Sequence, residues 1–531
     1  MYFEDVKLTE TEKITLLLRG LYERNGFKKF KMARFEEYGF YAANRDFITG
    51  KNVLTFTDLD GRLMALKPDV TLSIIKNTRG NDAQKKLYYV ENVYRENKGS
   101  NNFKEVSQIG VEYIGNVNEN CVSRLLDLAL ESLFLVDNRY ILEVSNMDFA
   151  NSIINSMDLN YENYVSLLKL IRQKNIDGIK AFGKENNLPE GDIAILAEIP
   201  KLHGSPNSVI ERAKEISGNS EQEDCLEFLR KVLDSLNSEN YSGLSVDLSI
   251  INDIGYYNGI IFNGYVPGIA DAVLSGGQYD KAMKKFGRKE GGLGFAIYLD
   301  ELSRKTAARN PAKKNDDEII NIALPKGRLA DEVHNMLEQA GYSCPEYSDK
   351  DRRLVLENPD AKVRYLLVKP ADVPVYVEHN VADIGIVGKD ILMENSPNVY
   401  ELLDLNIGKC KMCVAAPKGF EDNLNTTLQV ATKYVNVAKK YYGEQNRDIE
   451  IIKLNGSIEL GPILELTDVI VDIVETGTTL KENNLEIVEA FEDISARVIA
   501  GKHAFNFKNA RIKELVNGLS TVRENPLKNK L

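Results

Sequence analysis

The stretch 471–480, "VDIVETGTTL", joins an apolar run to a small loop that is rich in hydroxyl groups. The run ends at Asp472-Ile473-Val474, and Glu475-Thr476-Gly477-Thr478-Thr479 follow at once. A glycine-containing loop after a buried strand exposes successive backbone N–H groups and, with the start of the next helix, binds phosphate. Asp472 and Glu475 are suited to accept hydrogen bonds from sugar hydroxyls. The alternative is an ordinary strand–helix turn capped by a threonine.

Basic side chains at other strand ends favour the phosphate-binding interpretation. "ALPKGRL" places Lys326 and Arg328 at the end of an apolar strand, and "KDRRL" adds Arg352 and Arg353. Cations that are grouped at strand ends beside a phosphate loop indicate a substrate with several phosphates. Taken singly, each of them is equally compatible with a solvated surface charge.

The composition of the chain changes at residues 304–317, "RKTAARNPAKKNDD", which are polar and rich in charge, as is typical of a linker. After it, strand–turn–helix units alternate, which predicts an α/β domain on a buried, largely parallel sheet. Before it, strands come in runs and helices are set apart, which predicts an α+β domain on an antiparallel sheet. In that first part, "GGLGFAIYLDEL" (291–302) is interpreted as the beginning of a helix.

Length and composition exclude several classes of protein. A chain of 531 residues is expected to form about two to four domains. The formal net charge of −12 argues against a broad nucleic-acid-binding face. Five cysteines are an odd and sparse set, which suits free thiols in a cytoplasm, and no apolar stretch is long enough to cross a bilayer.

Metal and redox motifs are weak in this sequence. The four histidines are far apart, so a histidine-rich metal site is not expected. Cys410 and Cys413 have the spacing of a redox motif, but they fall in "IGKCKMCVAAP", which has the pattern of a strand. Two half-buried strand thiols are the favoured interpretation.

From about 317 to 525 the chain resembles the short-form catalytic chain of ATP phosphoribosyltransferase. The resemblance is carried by "IALPKGRL", "KPADVPVYVEHNVADIGIVGKDIL", "CVAAP", "LNGSIELGPILELTDVIVDIVETGTTLKENNLE" and "ISARVIA", in that order. It implies a catalytic domain at 318–531 with two α/β lobes, like a periplasmic binding protein, the second lobe at about 416–490. It also implies the reaction, in which N1 of ATP attacks C1 of phosphoribosyl pyrophosphate (PRPP) and displaces pyrophosphate.

The same resemblance assigns roles to residues of the C-terminal part. Thr476, Gly477, Thr478 and Thr479 would hold the 5′-phosphate of PRPP, and Asp472 and Glu475 would contact the ribose hydroxyls. Arg352, Lys326 and Arg328 would face the polyphosphates as the catalytic cations. Mg²⁺ would be carried by the substrate, without side-chain ligands assigned to it. Lys369 stands where arginine is often found, which supplies charge but no bidentate fork.

Residues 1–303 resemble the catalytic domain of histidyl-tRNA synthetase. The resemblance is carried by "TFTDLDGRLMALKPDVT", "YYVENVYRENKGSNNFKEVSQIGVEYIG", "DIGYYNGIIFNGY", "SGGQYD" and "GLGFAIYLDEL". It implies a class II synthetase-like fold with a histidine-binding pocket. The pocket would be formed by Asp69, Thr71, Gln108, Glu112, Tyr256 and Tyr257. The two tyrosines are also compatible with a role as plain core aromatics.

Three positions depart from the synthetase pattern. Asn252 and Glu301 stand where the family has arginines, and Asn97 stands where glutamate is usual. Adenylation needs cations at the phosphates, so we expect no synthetase chemistry, and the expected absence of an anticodon-binding domain argues against tRNA as a partner. A non-catalytic synthetase-like domain is the regulatory partner of the short-form transferase, which implies a fusion of the two.

The sequence therefore predicts a cytoplasmic ATP phosphoribosyltransferase of histidine biosynthesis that is inhibited by histidine bound in its N-terminal domain. Its partners would be ATP, PRPP and histidine, without tRNA or membrane, in a homo-oligomer that is a dimer or a tetramer. Two alternatives remain open at this stage, a histidine-sensing binding protein without turnover and a residual histidyl-tRNA synthetase.

Overall fold

The computed structural model describes residues 7–48, 52–78, 84–96, 102–237, 242–251, 256–307, 318–344 and 353–525. The chain divides into two compact units, Met1–Ala312 and Lys313–Leu531, and each is described separately below. Of the predicted linker, residues 304–307 are the last residues of a helix, and residues 308–317 lie outside the described residues.

The N-terminal unit is built on a nine-stranded sheet with the order β1-β5-β6-β12-β11-β10-β7-β9-β8. Its neighbouring strands are antiparallel except for the pairs β1–β5 and β7–β9. A separate three-stranded sheet has the order β2-β4-β3. The strands are β1 (Lys28–Lys29), β2 (Phe35–Glu37), β3 (Thr55–Thr57), β4 (Leu63–Leu66), β5 (Lys85–Glu96), β6 (Phe103–Gly115), β7 (Ile141–Asn146), β8 (His203–Gly204), β9 (Leu244–Asp247), β10 (Asn258–Tyr265), β11 (Leu274–Gln278) and β12 (Gly291–Tyr298).

Twelve helices accompany these strands among the described residues, and several begin at a side-chain cap. Thr9 and Glu12 form a capping box at the start of α1, as the sequence signature predicts. The helices are α1 (Glu10–Arg24), α2 (Tyr38–Ala43), α3 (Val70–Asn77), α4 (Glu119–Val136), α5 (Met147–Asn155), α6 (Tyr161–Arg172), α7 (Ile176–Glu185), α8 (Glu190–Glu198), α9 (Pro206–Glu215), α10 (Ser220–Asp234), α11 (Asp280–Lys285) and α12 (Leu299–Ala307).

The interpretation of 291–302 as the beginning of a helix is wrong for its first part, because Gly291–Tyr298 form strand β12 and the helix starts at Leu299. The glycines of this segment allow the side chains of neighbouring strands and turns to lie directly against its backbone. A Cβ at Gly292 would lie 2.0 Å from the ring of Tyr279, and a Cβ at Gly294 would lie 2.0 Å from Oε2 of Glu112. The glycines therefore make room for two large side chains over the central strand.

The C-terminal unit contains a six-stranded sheet, β14-β15-β13-β16-β23-β17, and a five-stranded sheet, β20-β19-β21-β18-β22. The expectation of a largely parallel sheet is wrong. Among the described strands of this unit, the parallel pairs are only β13–β15, β13–β16, β19–β20 and β19–β21. The strands are β13 (Ile320–Pro325), β14 (Val355–Asn358), β15 (Val363–Val368), β16 (Ile384–Gly388), β17 (Val399–Asp404), β18 (Cys410–Pro417), β19 (Leu428–Thr432), β20 (Ile449–Lys453), β21 (Val469–Val474), β22 (Leu485–Ile494) and β23 (Ala496–Gly501).

Helices cover both sheets of the C-terminal unit. They are α13 (Arg328–Gln339), α14 (Val373–Glu378), α15 (Lys389–Asn395), α16 (Val435–Glu444), α17 (Leu460–Ile463), α18 (Thr478–Glu482), α19 (Lys502–Phe507) and α20 (Asn509–Glu524). Across the described parts of both units, no helix combines the length and the apolar character that spanning a bilayer requires.

Candidate active site and regulatory pocket

A cleft of about 510 Å³ lies between the two sheets of the C-terminal unit. Residues from both sheets line it, including Gly388 and Ala496 from the first and Cys413 and Ile470 from the second. All six residues that the sequence assigns to PRPP also line this cleft: Asp472, Glu475, Thr476, Gly477, Thr478 and Thr479. A cleft of this size is typical of a site for a small-molecule ligand.

The threonine loop is a tight turn with a glycine in a left-handed conformation. Gly477 has φ +71°, a left-handed conformation that glycine adopts without strain. The hydroxyls of Thr476 and Thr478 lie 3.0 Å apart, and the side chains of both residues are exposed to the cleft. Because α18 has only five residues, its dipole would contribute little to binding an anion at this loop. The N–H and hydroxyl groups of the loop would be the donors.

Lysines follow the parallel strands of the first sheet directly. Lys326 comes after β13, Lys369 after β15 and Lys389 after β16. Carboxyl ends of parallel strands meet at one edge of a sheet, so these cations share an edge. Arg328 begins α13, and the structure does not describe its side chain; Arg352 lies outside the described residues.

Two carboxylates of the cleft are held away from water. Burial raises the pKa of Asp472, although the Lys433 ammonium 3.6 Å from its Oδ1 opposes the effect. Asp390 is 8% exposed, and the hydroxyl of Tyr434 donates to its Oδ2 at 2.6 Å. Three further residues of the cleft region were not predicted from the sequence: Lys389, Asp390 and Lys433. The feature that could have indicated them is their position, immediately after a strand or at the start of a helix.

The two lobes are joined by polar contacts on one side of the cleft. Lys389 pairs with Glu492 at 2.5 Å, from the first sheet to the second. Glu394 at the end of α15 accepts from the N–H groups of Asn436 and Val437, at the first turn of α16. Together with the bond from Tyr434, these contacts fix the relative position of the lobes on that side.

Cys410 and Cys413 lie on strand β18, as predicted, and both are free thiols that line the cleft. A register shift between Met412 and Cys413 interrupts the regular alternation of this strand. Burial raises the pKa of Cys410 to about 11, so it is protonated at neutral pH. This favours the interpretation as half-buried strand thiols over a redox motif.

A second, smaller cavity of about 50 Å³ lies over the nine-stranded sheet of the N-terminal unit. Five of the six residues that the sequence assigns to histidine line it: Asp69, Thr71, Gln108, Glu112 and Tyr257. Tyr256 packs behind Tyr257, with ring centroids 4.7 Å apart, and belongs to the hydrophobic core. Sequence reasoning missed Tyr279 and assigned no ligand role to Arg95, and both also line the cavity.

Glu112 is the central carboxyl group of this cavity. Its Oε1 accepts from the hydroxyl of Thr71 at 2.5 Å and its Oε2 from the hydroxyl of Tyr279 at 2.6 Å. Burial raises the pKa of Glu112 to about 8, more than these hydrogen bonds lower it. The side chain is therefore mainly protonated at neutral pH in the empty cavity.

Replacing Glu112 by glutamine should change how stability depends on pH. Between the ordinary pKa of 4.5 and about 8, the folded state holds a proton that the unfolded state has lost, so folding stability falls as pH rises. Glutamine does not titrate, so the stability of the variant lacks this dependence on pH. Relative to wild type, its free energy of unfolding should therefore rise by about 3 kcal/mol from about pH 5 to about pH 8. Thermal unfolding without histidine tests this, with Glu105→Gln on the same strand as control; parallel pH curves would contradict it.

Positions that matter for adenylation carry different chemistry. Glu301 lies 3.6 Å from the ammonium of Lys104, so an ion pair stands where the synthetase resemblance places an arginine. Arg95 donates from Nε to the carbonyl of Pro68 and lies 3.7 Å from Asp69. Asn97 and Asn252 lie outside the described residues.

One group among the described residues has the spacing of metal ligands, Glu143, His203 and Asp247 in the N-terminal unit. The ammonium of Lys174 lies 2.8 Å from Asp247, however, so this carboxylate is already paired with a buried cation. The cleft of the C-terminal unit offers hard oxygen donors, the carboxylates Asp390, Glu459, Asp472 and Glu475. Such donors fit Mg²⁺ bound to a phosphate substrate.

Comparisons with known proteins agree with this division of the chain. The family profile of histidyl-tRNA synthetase matches residues 2–302, which is more than half of the chain, and that of ATP phosphoribosyltransferase matches residues 369–521. An ATP phosphoribosyltransferase from Brachyspira hyodysenteriae is 57% identical over 205 residues, which are 38% of this chain and 100% of that protein. The chain belongs to the histidyl-tRNA synthetase family in its N-terminal unit and to the ATP phosphoribosyltransferase family in its C-terminal unit.

Further relatives have the same character. An ATP phosphoribosyltransferase from Lachnoclostridium phytofermentans is 49% identical over 207 residues, 38% of this chain and 96% of that protein. A solved structure described as an ATP phosphoribosyltransferase regulatory subunit/histidyl-tRNA synthetase from Bacillus halodurans is 21% identical, with a TM-score of 0.51, over 70% of this chain and 100% of that one. At this identity the likeness concerns the fold alone, and it agrees with the predicted class II synthetase-like architecture.

The prediction of the family and of the reaction class is confirmed by these matches. The chain is an ATP phosphoribosyltransferase of histidine biosynthesis, a pentosyltransferase whose N-terminal unit is regulatory, synthetase-like and non-catalytic. The family depends on a metal ion. Neither a binding protein without turnover nor a residual synthetase is favoured by any of the matches.

Proposed function

We propose that the cleft of the C-terminal unit binds PRPP and ATP and joins N1 of ATP to C1 of the ribose, with release of pyrophosphate. The observation that carries this proposal is the convergence of the threonine loop, Asp472 and Glu475 on one cleft between the two sheets. The loop N–H groups and hydroxyls of residues 476–479 bind the 5′-phosphate. Asp472 and Glu475 accept hydrogen bonds from the ribose hydroxyls.

The cations act on the leaving group. As the bond from C1 to pyrophosphate breaks, negative charge grows on the pyrophosphate and positive charge on the sugar. Lys326, Arg328 and Arg352 stabilise the developing negative charge, and loss of one such donor typically costs about 3–4 kcal/mol. The position of Lys326 supports this role, because Leu329 and Glu332 of the following helix line the cleft.

Mg²⁺ is proposed as the metal of the reaction. It would be carried by the pyrophosphate of the substrate, without side-chain ligands assigned to it, and would neutralise part of the phosphate charge. Asp472 and Glu475 keep their proposed role, which is to accept hydrogen bonds from the ribose hydroxyls. Removal of Mg²⁺ should therefore abolish turnover.

The N-terminal cavity is proposed as the site of feedback inhibition by histidine. Asp69, Gln108 and Glu112 supply acceptors for the α-amino group and the imidazole, and Thr71 orients Glu112. Tyr257 lines the cavity, and Tyr256 supports it from behind. These groups surround a cavity of about 50 Å³ and supply polar partners for a small polar ligand.

Regulation requires that histidine binds the less active state of the protein more tightly than the active state. A coupling free energy of about 1–3 kcal/mol between histidine and the substrates is sufficient for feedback control. We propose further that the chain acts in the cytoplasm as a homo-oligomer, a dimer or a tetramer, without tRNA or membrane as partner. The proposed domains are residues 1–303 and 318–531, with 304–317 as linker and the second lobe at about 416–490.

A steady-state assay of phosphoribosyl-ATP formation tests this proposal. The purified chain with ATP, PRPP and Mg²⁺ should form phosphoribosyl-ATP, and histidine should inhibit the reaction. No product under any of these conditions would contradict the catalytic part. Turnover that is insensitive to histidine would contradict the regulatory part alone.

A further inference from the structure

Lys433 stands at the carboxyl end of β19, the strand that runs parallel to the one bearing Asp472. In the register of this pair, Thr432 is opposite Val471, and the hydroxyl of Thr432 donates to the carbonyl of Val471 at 2.6 Å. The next residues along the two strands are Lys433 and Asp472. The ammonium of Lys433 lies 3.6 Å from Oδ1 of Asp472, so strand pairing itself brings the two charges together.

The surroundings of Asp472 are otherwise acidic. Glu459 and Glu475 line the same cleft, and the thiols of Cys410 and Cys413 face it from β18. Burial raises the pKa of Asp472, the negative charge of Glu459 adds to this effect, and Lys433 opposes both. Asp472 is also held by its own backbone, because the N–H of Ile473 donates to Oδ1 at 2.8 Å.

The position of Lys433 is supported by the residue that follows it. Its ammonium lies 4.7 Å from the centroid of the Tyr434 ring, which attracts a cation over its face. The hydroxyl of Tyr434 in turn donates to Asp390 of the first lobe at 2.6 Å. Tyr434 thus contacts Lys433 through its ring and Asp390 through its hydroxyl, and the ring contact holds the Lys433 ammonium near Asp472.

We propose that Lys433 is a positioning residue that orients the sugar-binding carboxylate of Asp472 to accept hydrogen bonds from the ribose hydroxyls of PRPP. The inference rests on the proposed function, because it assigns a role to Lys433 in the same site. Lys433 acts through Asp472 and does not touch the reacting atoms. Its removal should therefore weaken PRPP binding more than it slows the chemical step.

Lys433→Met tests this, since methionine keeps the unbranched stem and removes the charge. We expect the KM for PRPP to rise about tenfold and kcat to change less than about twofold, the pattern of lost uniform binding. Lys433→Arg should restore the wild-type values within about threefold, because it restores the charge.

Lys440→Met is the matched control, an exposed lysine of α16 that lies 3.6 Å from Glu444. If Lys433→Met and Lys440→Met have the same KM at every pH, the inference is wrong. It is equally wrong if Lys433→Met lowers kcat and thermal stability together without a rise in the KM for PRPP, as a structural role would require. If Lys433→Met does not fold, Lys433→Gln replaces it.

Calorimetric titration with PRPP and Mg²⁺ separates this inference from the proposed function. A wild-type chain that binds PRPP but forms no product would contradict the proposed reaction and leave the comparison of the variants valid. Weaker binding to Lys433→Met than to Lys440→Met would then still support the role of Lys433, and equal binding would overturn it.

Discussion

Replacing Gly477 by valine should lower kcat/KM for PRPP by a hundredfold or more, because the 5′-phosphate loses hydrogen bonds of about 1.5–3 kcal/mol each. Gly477 has φ +71°, a conformation that is strained for a β-branched residue. The loop must then rearrange, and the N–H and hydroxyl groups of Thr476 and Thr478 no longer converge on one phosphate. Steady-state rates at varied PRPP concentration measure this loss.

Gly419→Val is the matched control for this prediction. Gly419 has φ +81°, open space around its missing Cβ, and a position after β18 outside the cleft lining. Both variants carry similar backbone strain, so thermal unfolding should show similar losses of stability. Only Gly477→Val should lose activity, and an equal loss in both would show that the loop contributes stability without binding phosphate.

Replacing Glu112 by glutamine should raise the histidine concentration for half-maximal inhibition by about 30-fold to 5,000-fold and leave uninhibited turnover unchanged. In the proposed complex, Glu112 gives up its proton to pair with a positive charge of histidine. An amide keeps the shape and accepts one of the two hydroxyl hydrogen bonds, from Thr71 or Tyr279, but it cannot become charged. Truncating one partner of a buried charge pair costs about 2–5 kcal/mol, which corresponds to this range.

Inhibition curves at neutral pH measure this effect, with Glu105→Gln as the control. Glu105 lies on the same strand, and its Oε1 accepts from Asn92 and Tyr94 at the surface. The control should keep wild-type inhibition. If Glu112→Gln is inhibited as strongly as wild type, histidine binds elsewhere, and the small cavity is not the regulatory site.

Local chemistry was predictable where neighbouring residues determine it. The capping box at Thr9 and Glu12 specifies the start of α1, because the two residues satisfy each other's backbone N–H groups. The strand before Glu475 and the glycine in its loop likewise follow from a short stretch of sequence. In both cases, the relevant contacts lie within a few residues along the chain.

Long-range pairing was not predictable in the same way. Strand β23 lies between β16 and β17 although it is the last strand of the chain, and it pairs antiparallel with both. The apolar run "ARVIAG" is compatible with any buried strand position and carries no sign of direction. The mixed character of the sheets therefore depends on tertiary packing, which the pattern of a single strand does not contain.

The candidate sites show the same limit. Gly294 is required by the Glu112 side chain across the sheet, and Lys433 meets Asp472 through strand register. Neither partner is close in sequence, so composition and spacing gave no reason to select these residues. Tyr279 was passed over for the same reason, because its hydroxyl reaches Glu112 across 167 positions of the chain.

A crystal structure of the chain with PRPP and Mg²⁺ tests the central claim most directly. The account predicts the 5′-phosphate within hydrogen-bonding distance of the loop formed by residues 476–479, with the ribose hydroxyls on Asp472 and Glu475. A sugar phosphate bound at any other place in the chain, with this loop left empty at saturating PRPP, would contradict it.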